Sequence, residues 1–150
     1  MTRKKPINRR AALQMAAGWG VVGLAVAGGG YWLVDGMLAN AAEQDLSRIG
    51  NGTPSVVQIH DPSCSLCRQL QRATRTALAA FENGDLTYVV ANITTPEGRA
   101  LANRHGVGNV TLLLFDGAGR MRTVVRGTQS PDALIATFSA HLKASRAVAS

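Results

Sequence analysis

The chain has 150 residues, 46% of them hydrophobic, two cysteines and a formal net charge of +7. That length holds one domain, and a single closely spaced cysteine pair excludes a small disulfide-framework fold. Nor does the charge mark a nucleic-acid binder: Arg3, Lys4, Lys5, Arg9 and Arg10 precede every acid, and from residue 42 eleven Lys/Arg face eight Asp/Glu, with no basic stripe interleaved with aromatics.

Residues 1–10 form a basic n-region. Residues 11–34 carry no charged side chain. As a helix they would span about 36 Å, enough for a hydrocarbon core of roughly 30 Å. Tyr31 and Trp32 stand at the far end, where an interfacial aromatic belt belongs, and Trp19 is a further amphipathic ring. The positive-inside rule keeps residues 1–10 cytoplasmic and sends the rest across. The expectation is a single-pass anchor in the inner membrane with the domain in the periplasm. Ala39-Asn40-Ala41 is an A-x-A site, so the alternative is cleavage after Ala41 and a soluble periplasmic domain. The glycines between Gly18 and Gly30 suit either reading. Asn8 to Gln14 resembles a twin-arginine export signal. It keeps Arg9-Arg10 and Leu13 and lacks the preceding Ser/Thr and the Phe.

Residues 35–52 read as a linker with a short helix over 41–49. Ser55 to His60 is rich in β-branched residues and predicts a strand. Asp61-Pro62-Ser63 breaks it. From Cys64 to about Asn83, Leu66, Leu70, Ala73, Ala77, Leu78, Ala80 and Phe81 recur at helical spacing. Asn83-Gly84 closes that helix. Leu86 to Ile93 predicts a second strand. Pro96 opens a helix that His105-Gly106 stops. Thr111 to Phe115 is a continuous apolar run, as in a strand buried on both faces. Asp116-Gly117-Ala118-Gly119 predicts a hairpin turn into a strand over Arg120 to Arg126. Ser130-Pro131-Asp132 starts a last helix whose apolar face is Leu134, Ile135, Phe138 and Leu142. The first half is a βαβ unit with a parallel pair, the second a hairpin and a helix.

This order, with Cys64-Ser65-Leu66-Cys67 at the start of the helix after the first strand, resembles the thioredoxin fold. The resemblance runs from about Thr53 to Leu142, within a domain at 53–145 followed by a tail at 146–150. Asn92-Ile93, Pro96, His105-Gly106-Val107 and Thr111 to Gly117 look like the stretch that leads into the thioredoxin hairpin. Gly127 and Ser130 look like the approach to the last helix. The resemblance implies an α/β fold with a central mixed sheet of about four strands flanked by helices. It also implies thiol–disulfide exchange without a cofactor, and a substrate loop at Val110 and Thr111. Three residues depart from the family pattern. Ser63 replaces a tryptophan, Gln58 a buried acid, and Val110 a cis-proline. A non-proline cis bond costs roughly 3 kcal/mol, so Val110 is expected to be trans.

The cysteine chemistry follows from helix physics. A helix N-terminus offers unpaired N–H groups and positive potential, which favour a thiolate at Cys64. Cys67 lies one turn on, on the same side, and can close a Cys64–Cys67 disulfide. Cys64 is therefore the expected nucleophile and Cys67 the resolving thiol. Arg68 and Arg72 are candidate sources of positive potential. Gln58 cannot act as the base that would deprotonate Cys67. The partners implied are a protein or small-molecule disulfide or dithiol and a membrane or periplasmic redox partner, besides the membrane that residues 11–34 would cross.

Two alternatives stay open. Cys64, Cys67 and His60 could form a soft copper site on an assembly factor, or the pair could be a structural disulfide in a non-catalytic binding module. His60 reads as a strand-end residue near the site, and His105 and His141 as surface or capping residues.

Overall fold

The computed structural model describes residues 42–149. The basic region 1–10, the apolar run 11–34 and the Ala41 site lie outside them. Among the described residues no helix is long and apolar enough to cross a membrane.

The seven regular elements expected from sequence all form. They are β1 (Ser55–His60), α1 (Ser65–Leu78), β2 (Thr87–Asn92), α2 (Pro96–His105), β3 (Thr111–Phe115), β4 (Met121–Arg126) and α3 (Pro131–Ala149). The sheet order is β2-β1-β3-β4. β1 runs parallel to β2 and antiparallel to β3, and β3 pairs antiparallel with β4. The sheet is thus mixed, and β1 and β3 occupy its centre.

Alternation along each strand divides the apolar residues between two cores. Val56, Tyr88, Val90, Leu112 and Leu114 face Leu70 and Ala77 of α1 and Leu134 and Phe138 of α3. Val57, Ile59, Val89, Ala91, Leu113 and Phe115 face Leu101 and Ala102 of α2. Helices therefore cover both faces, and β1 and β3 are buried along their whole length.

The ends of the elements show where local chemistry overrides pattern. The short helix expected over 41–49 is replaced, after helical Ala42 and Glu43, by a 3-10 turn at Leu46–Arg48. Asp45 takes the Ser47 N–H at 3.0 Å and its hydroxyl at 2.6 Å, which turns the chain. α1 stops at Leu78, five residues short of the expected end at Asn83. Its last turn tightens, with Ala80 N–H bonding to the Ala77 carbonyl and Phe81 N–H to that of Leu78. That sets Phe81 against Phe138, ring centroids 6.3 Å apart. β2 is one residue shorter at each end than Leu86–Ile93, and β4 begins at Met121 rather than Arg120.

α2 is capped by Thr95, whose side chain accepts the Gly98 N–H, and ends at left-handed Gly106. Gly98 lies so close to the Asn92 carbonyl that no side chain fits between them. In the hairpin, Asp116 is almost fully buried and accepts bonds from Ala118 N–H, Arg120 N–H and the Arg120 and Arg122 guanidinium groups. Those donors hold its carboxyl far below the usual range. His141, expected at the surface, is buried on α3 and its Nε2 lies 3.0 Å from the Phe115 carbonyl.

The buried stripe of α1 is Cys67, Leu70, Thr74 and Ala77. The Thr74 hydroxyl is buried with no hydrogen-bond partner among the described residues. Replacing it with a methyl of the same shape removes a desolvation cost of about 1 kcal/mol. Thr74→Val is therefore expected to raise unfolding free energy by about that amount in urea denaturation.

Candidate functional site

β1 ends at His60, and three residues turn the chain into α1. Asp61 accepts the Ser63 N–H at 2.9 Å and the Ser63 hydroxyl at 2.7 Å. The Cys64 N–H closes the turn on the Asp61 carbonyl at 3.1 Å. Arg68, one turn into the helix, donates to the Pro62 carbonyl at 2.8 Å. The loop is thus braced from both ends before the first cysteine.

Cys64 is the N-cap of α1, in extended conformation, and its sulfur accepts the Cys67 N–H at 3.2 Å. It is half-buried, whereas Cys67 is fully buried, and both are free thiols. The two sulfurs have opposite chemistry. Donation from the Cys67 thiol and the Cys67 N–H, with the Leu66 N–H, lowers the Cys64 pKa, against an opposing effect of desolvation and a smaller one of Asp61. Burial raises the Cys67 pKa, and its hydrogen bond to Cys64 raises it further. Positive potential at Cys64 comes from the helix N-terminus itself. Arg68 is committed to the loop carbonyl.

Gln58 sits in the middle of β1, fully buried, at the position of the absent acid. Its Nε2 donates to the Cys67 carbonyl at 2.9 Å and lies 3.3 Å from His60 Nδ1. Its Oε1 accepts the Tyr88 hydroxyl at 2.7 Å. Burial pushes the Tyr88 pKa well up, so the phenol stays a donor. Burial pushes the His60 pKa down, which favours the neutral imidazole, and with the proton on Nε2 its Nδ1 can accept from the amide. One amide thereby ties β2, β1 and the first turn of α1 together. Tyr88 was missed in the sequence. Finding it requires the β1–β2 register, which sets Val56 beside Tyr88 and Gln58 beside Val90.

Val110 is the last residue of the loop before β3. Its peptide is trans, since no cis bond occurs among the described residues. It takes a φ of +57°, the left-handed region, which is rare for a β-branched residue. Its carbonyl accepts the Gly127 N–H at 2.8 Å. Thr111 is buried in β3 opposite Ile59, its hydroxyl 3.4 Å from the Asn109 carbonyl. Leu66, assigned above to the apolar face of α1, is instead 52% exposed between the cysteines, off the buried stripe. Among the described residues no cluster of three or more His, Cys, Asp or Glu could hold a metal.

No family model and no curated protein matches the chain. Solved structures do. The thioredoxin of Malassezia sympodialis superposes with a TM-score of 0.55 at 16% identity, over 67% of this chain and 89% of that one. The protein Trxlp of Edwardsiella tarda superposes with a TM-score of 0.52 at 24% identity, over 61% of this chain and 86% of that one. The fold is thioredoxin-like.

The opposed sulfurs give a direct expectation. In the reduced protein, iodoacetamide labels Cys64 with a midpoint below the roughly 8.5 of a free cysteine. Cys67 is labelled only on unfolding. Peptide mass spectrometry reads both rates, and native labelling of Cys67 as fast as Cys64 would contradict the geometry. Gln58→Leu removes the acceptor of the buried Tyr88 hydroxyl and the side-chain donor to the Cys67 carbonyl. Urea denaturation is expected to show a loss of about 2–3 kcal/mol.

Proposed function

We propose that this thioredoxin-like chain is a thiol–disulfide oxidoreductase working outside the cytoplasm, with Cys64 as nucleophile and Cys67 as resolving thiol. The observation that carries the reading is the Cys64 sulfur at the α1 N-cap, half-exposed and accepting the Cys67 N–H, with Cys67 buried one turn behind it. Hydrogen bonds lower the pKa of the outer thiol and burial raises that of the inner one. That asymmetry gives the two sulfurs an order of action.

Cys64 thiolate attacks a substrate disulfide, which releases one substrate thiolate and forms a mixed disulfide. Cys67 then attacks Cys64, closing the Cys64–Cys67 disulfide and releasing the second substrate sulfur. The reverse sequence oxidises a dithiol. Leu66 places an exposed apolar side chain beside the reacting sulfur, which suits a protein or small-molecule disulfide with an apolar neighbour. The basic residues 1–10 and the uncharged run 11–34 support a location on the far side of the inner membrane, anchored there or released after Ala41. A redox partner in the membrane or periplasm recharges the pair.

The test is exchange with a glutathione couple, followed by trapping the Cys64–Cys67 disulfide at a series of poises. The full chain is expected to equilibrate between dithiol and disulfide, and Cys64→Ser to abolish exchange. Cys67→Ser is expected to accumulate a stable mixed disulfide on Cys64. Exchange that persists in Cys64→Ser sinks the assignment.

A further inference from the structure

The exposed side of α1 carries charge of one sign. Between Asp61 and Glu82 the chain has Arg68, Arg72 and Arg75 and no acid. All three arginines are exposed. The buried stripe of α1 is Cys67, Leu70, Thr74 and Ala77. At about 100° per residue, Arg72 stands opposite that stripe, in the middle of the solvent face. Arg68 and Arg72 are one turn apart on this face, where like charges destabilise a helix. Arg68 also stands near the helix N-terminus, where the dipole disfavours a cation. The other α-helices follow the dipole, with Glu97 in the first turn of α2 and Asp132 in that of α3, whereas α1 has no acid there. Arg75 pairs with Glu43 at 2.6 Å. Arg68 donates to the Pro62 carbonyl at 2.8 Å, which pins its charge to the loop that carries Cys64 and leaves its other N–H groups available. Arg72 has no ion pair among the described residues. Asp61 is the acid nearest to Cys64 in sequence, and its Oδ1 accepts both the N–H and the hydroxyl of Ser63.

We propose that Arg68 and Arg72 form a basic track leading to Cys64, on which an acidic segment of a protein partner docks beside the disulfide that Cys64 attacks. The track deepens the oxidoreductase reading and rests on it, because it names the chemistry of the partner. Arg68 lies one turn beyond Cys64 and Arg72 two turns, the farther one about 12 Å along the axis. A small disulfide does not reach both arginines while its sulfur meets Cys64. A peptide does, with about four extended residues. Leu66 lies about 160° round the helix from Arg68, so its exposed apolar side chain and the charged track approach Cys64 from different sides. Exposed ion pairs are individually weak and are screened beyond about 10 Å at 0.1 M salt. Their effect therefore falls on the rate of association and on the choice of partner.

The test reads Cys64 with charged probes. Synthetic peptides carry one central iodoacetyl group flanked by aspartates, by serines or by lysines. The Cys64 thiolate of the reduced full chain displaces iodide and forms a thioether, and mass spectrometry gives the rate. Two exposed ion pairs predict that the aspartate peptide reacts about fivefold faster than the serine peptide at low salt. The lysine peptide is expected to be slower than both, and the spread to close at roughly 0.5 M salt. Arg72→Ala is expected to cut the aspartate-to-serine ratio to about twofold, Arg72→Lys to preserve it and Arg72→Glu to abolish it. Arg104→Glu makes the same change in net charge on α2, across the sheet from α1, and is expected to leave the ratio intact. Equal rates for the three peptides, or an Arg104→Glu effect as large as that of Arg72→Glu, overturns the track. Alkylation involves no disulfide, so a chain that shows this preference but exchanges no disulfide refutes the activity and leaves the docking surface standing.

Discussion

The placement of both sulfurs depends on one buried amide. Gln58 joins the phenol of β2, the imidazole at the end of β1 and the carbonyl of Cys67 through a single planar group. A buried amide with unmet bonds is costly, and one with every bond met fixes its neighbours. The first turn of α1 therefore has one seat on the sheet. The N-cap geometry at Cys64 follows from that seat, and so does the depth of Cys67. An acid at the same place could accept bonds from Tyr88 but, once ionised, could not donate to the Cys67 carbonyl. The substitution that removes a base thus supplies a clamp.

Much of the fold was legible because its signals are local. Pro96 at a helix start, Gly106 at a helix end and the β-branched run before Asp61 each act over a few residues, and each element formed where they pointed. The place of the cysteine pair at a helix start was legible for the same reason. What stayed hidden depends on distant partners. The left-handed turn at Val110 is set by Gly127 and by packing, not by valine, whose own preference opposes it. The early end of α1 brings Phe81 against Phe138, more than fifty residues away in sequence. His141 reads as a surface residue until α3 is laid against β3 and its ring meets the Phe115 carbonyl.

Two positions show how a thioredoxin-like site can keep its sulfurs while changing what surrounds them. Ser63, in place of an aromatic, joins a compact turn whose hydroxyl and N–H both go to Asp61. Leu66 then supplies the exposed apolar surface beside the pair. The exposed apolar side chain thus stands between the two cysteines rather than before the first.

The outermost strand has a bearing on how the domain survives at high local concentration. Among the described residues β4 has no strand beyond it, and it is exposed or half-exposed along its length. An open edge of that kind is a template on which another chain can lay down a strand. Arg122 and Arg126 lie along it, and Arg120 stands just before it. Buried Asp116 holds Arg120 and Arg122 from within the hairpin. Like charges brought together by edge-to-edge pairing would repel, so the arginines work as gatekeepers against aggregation.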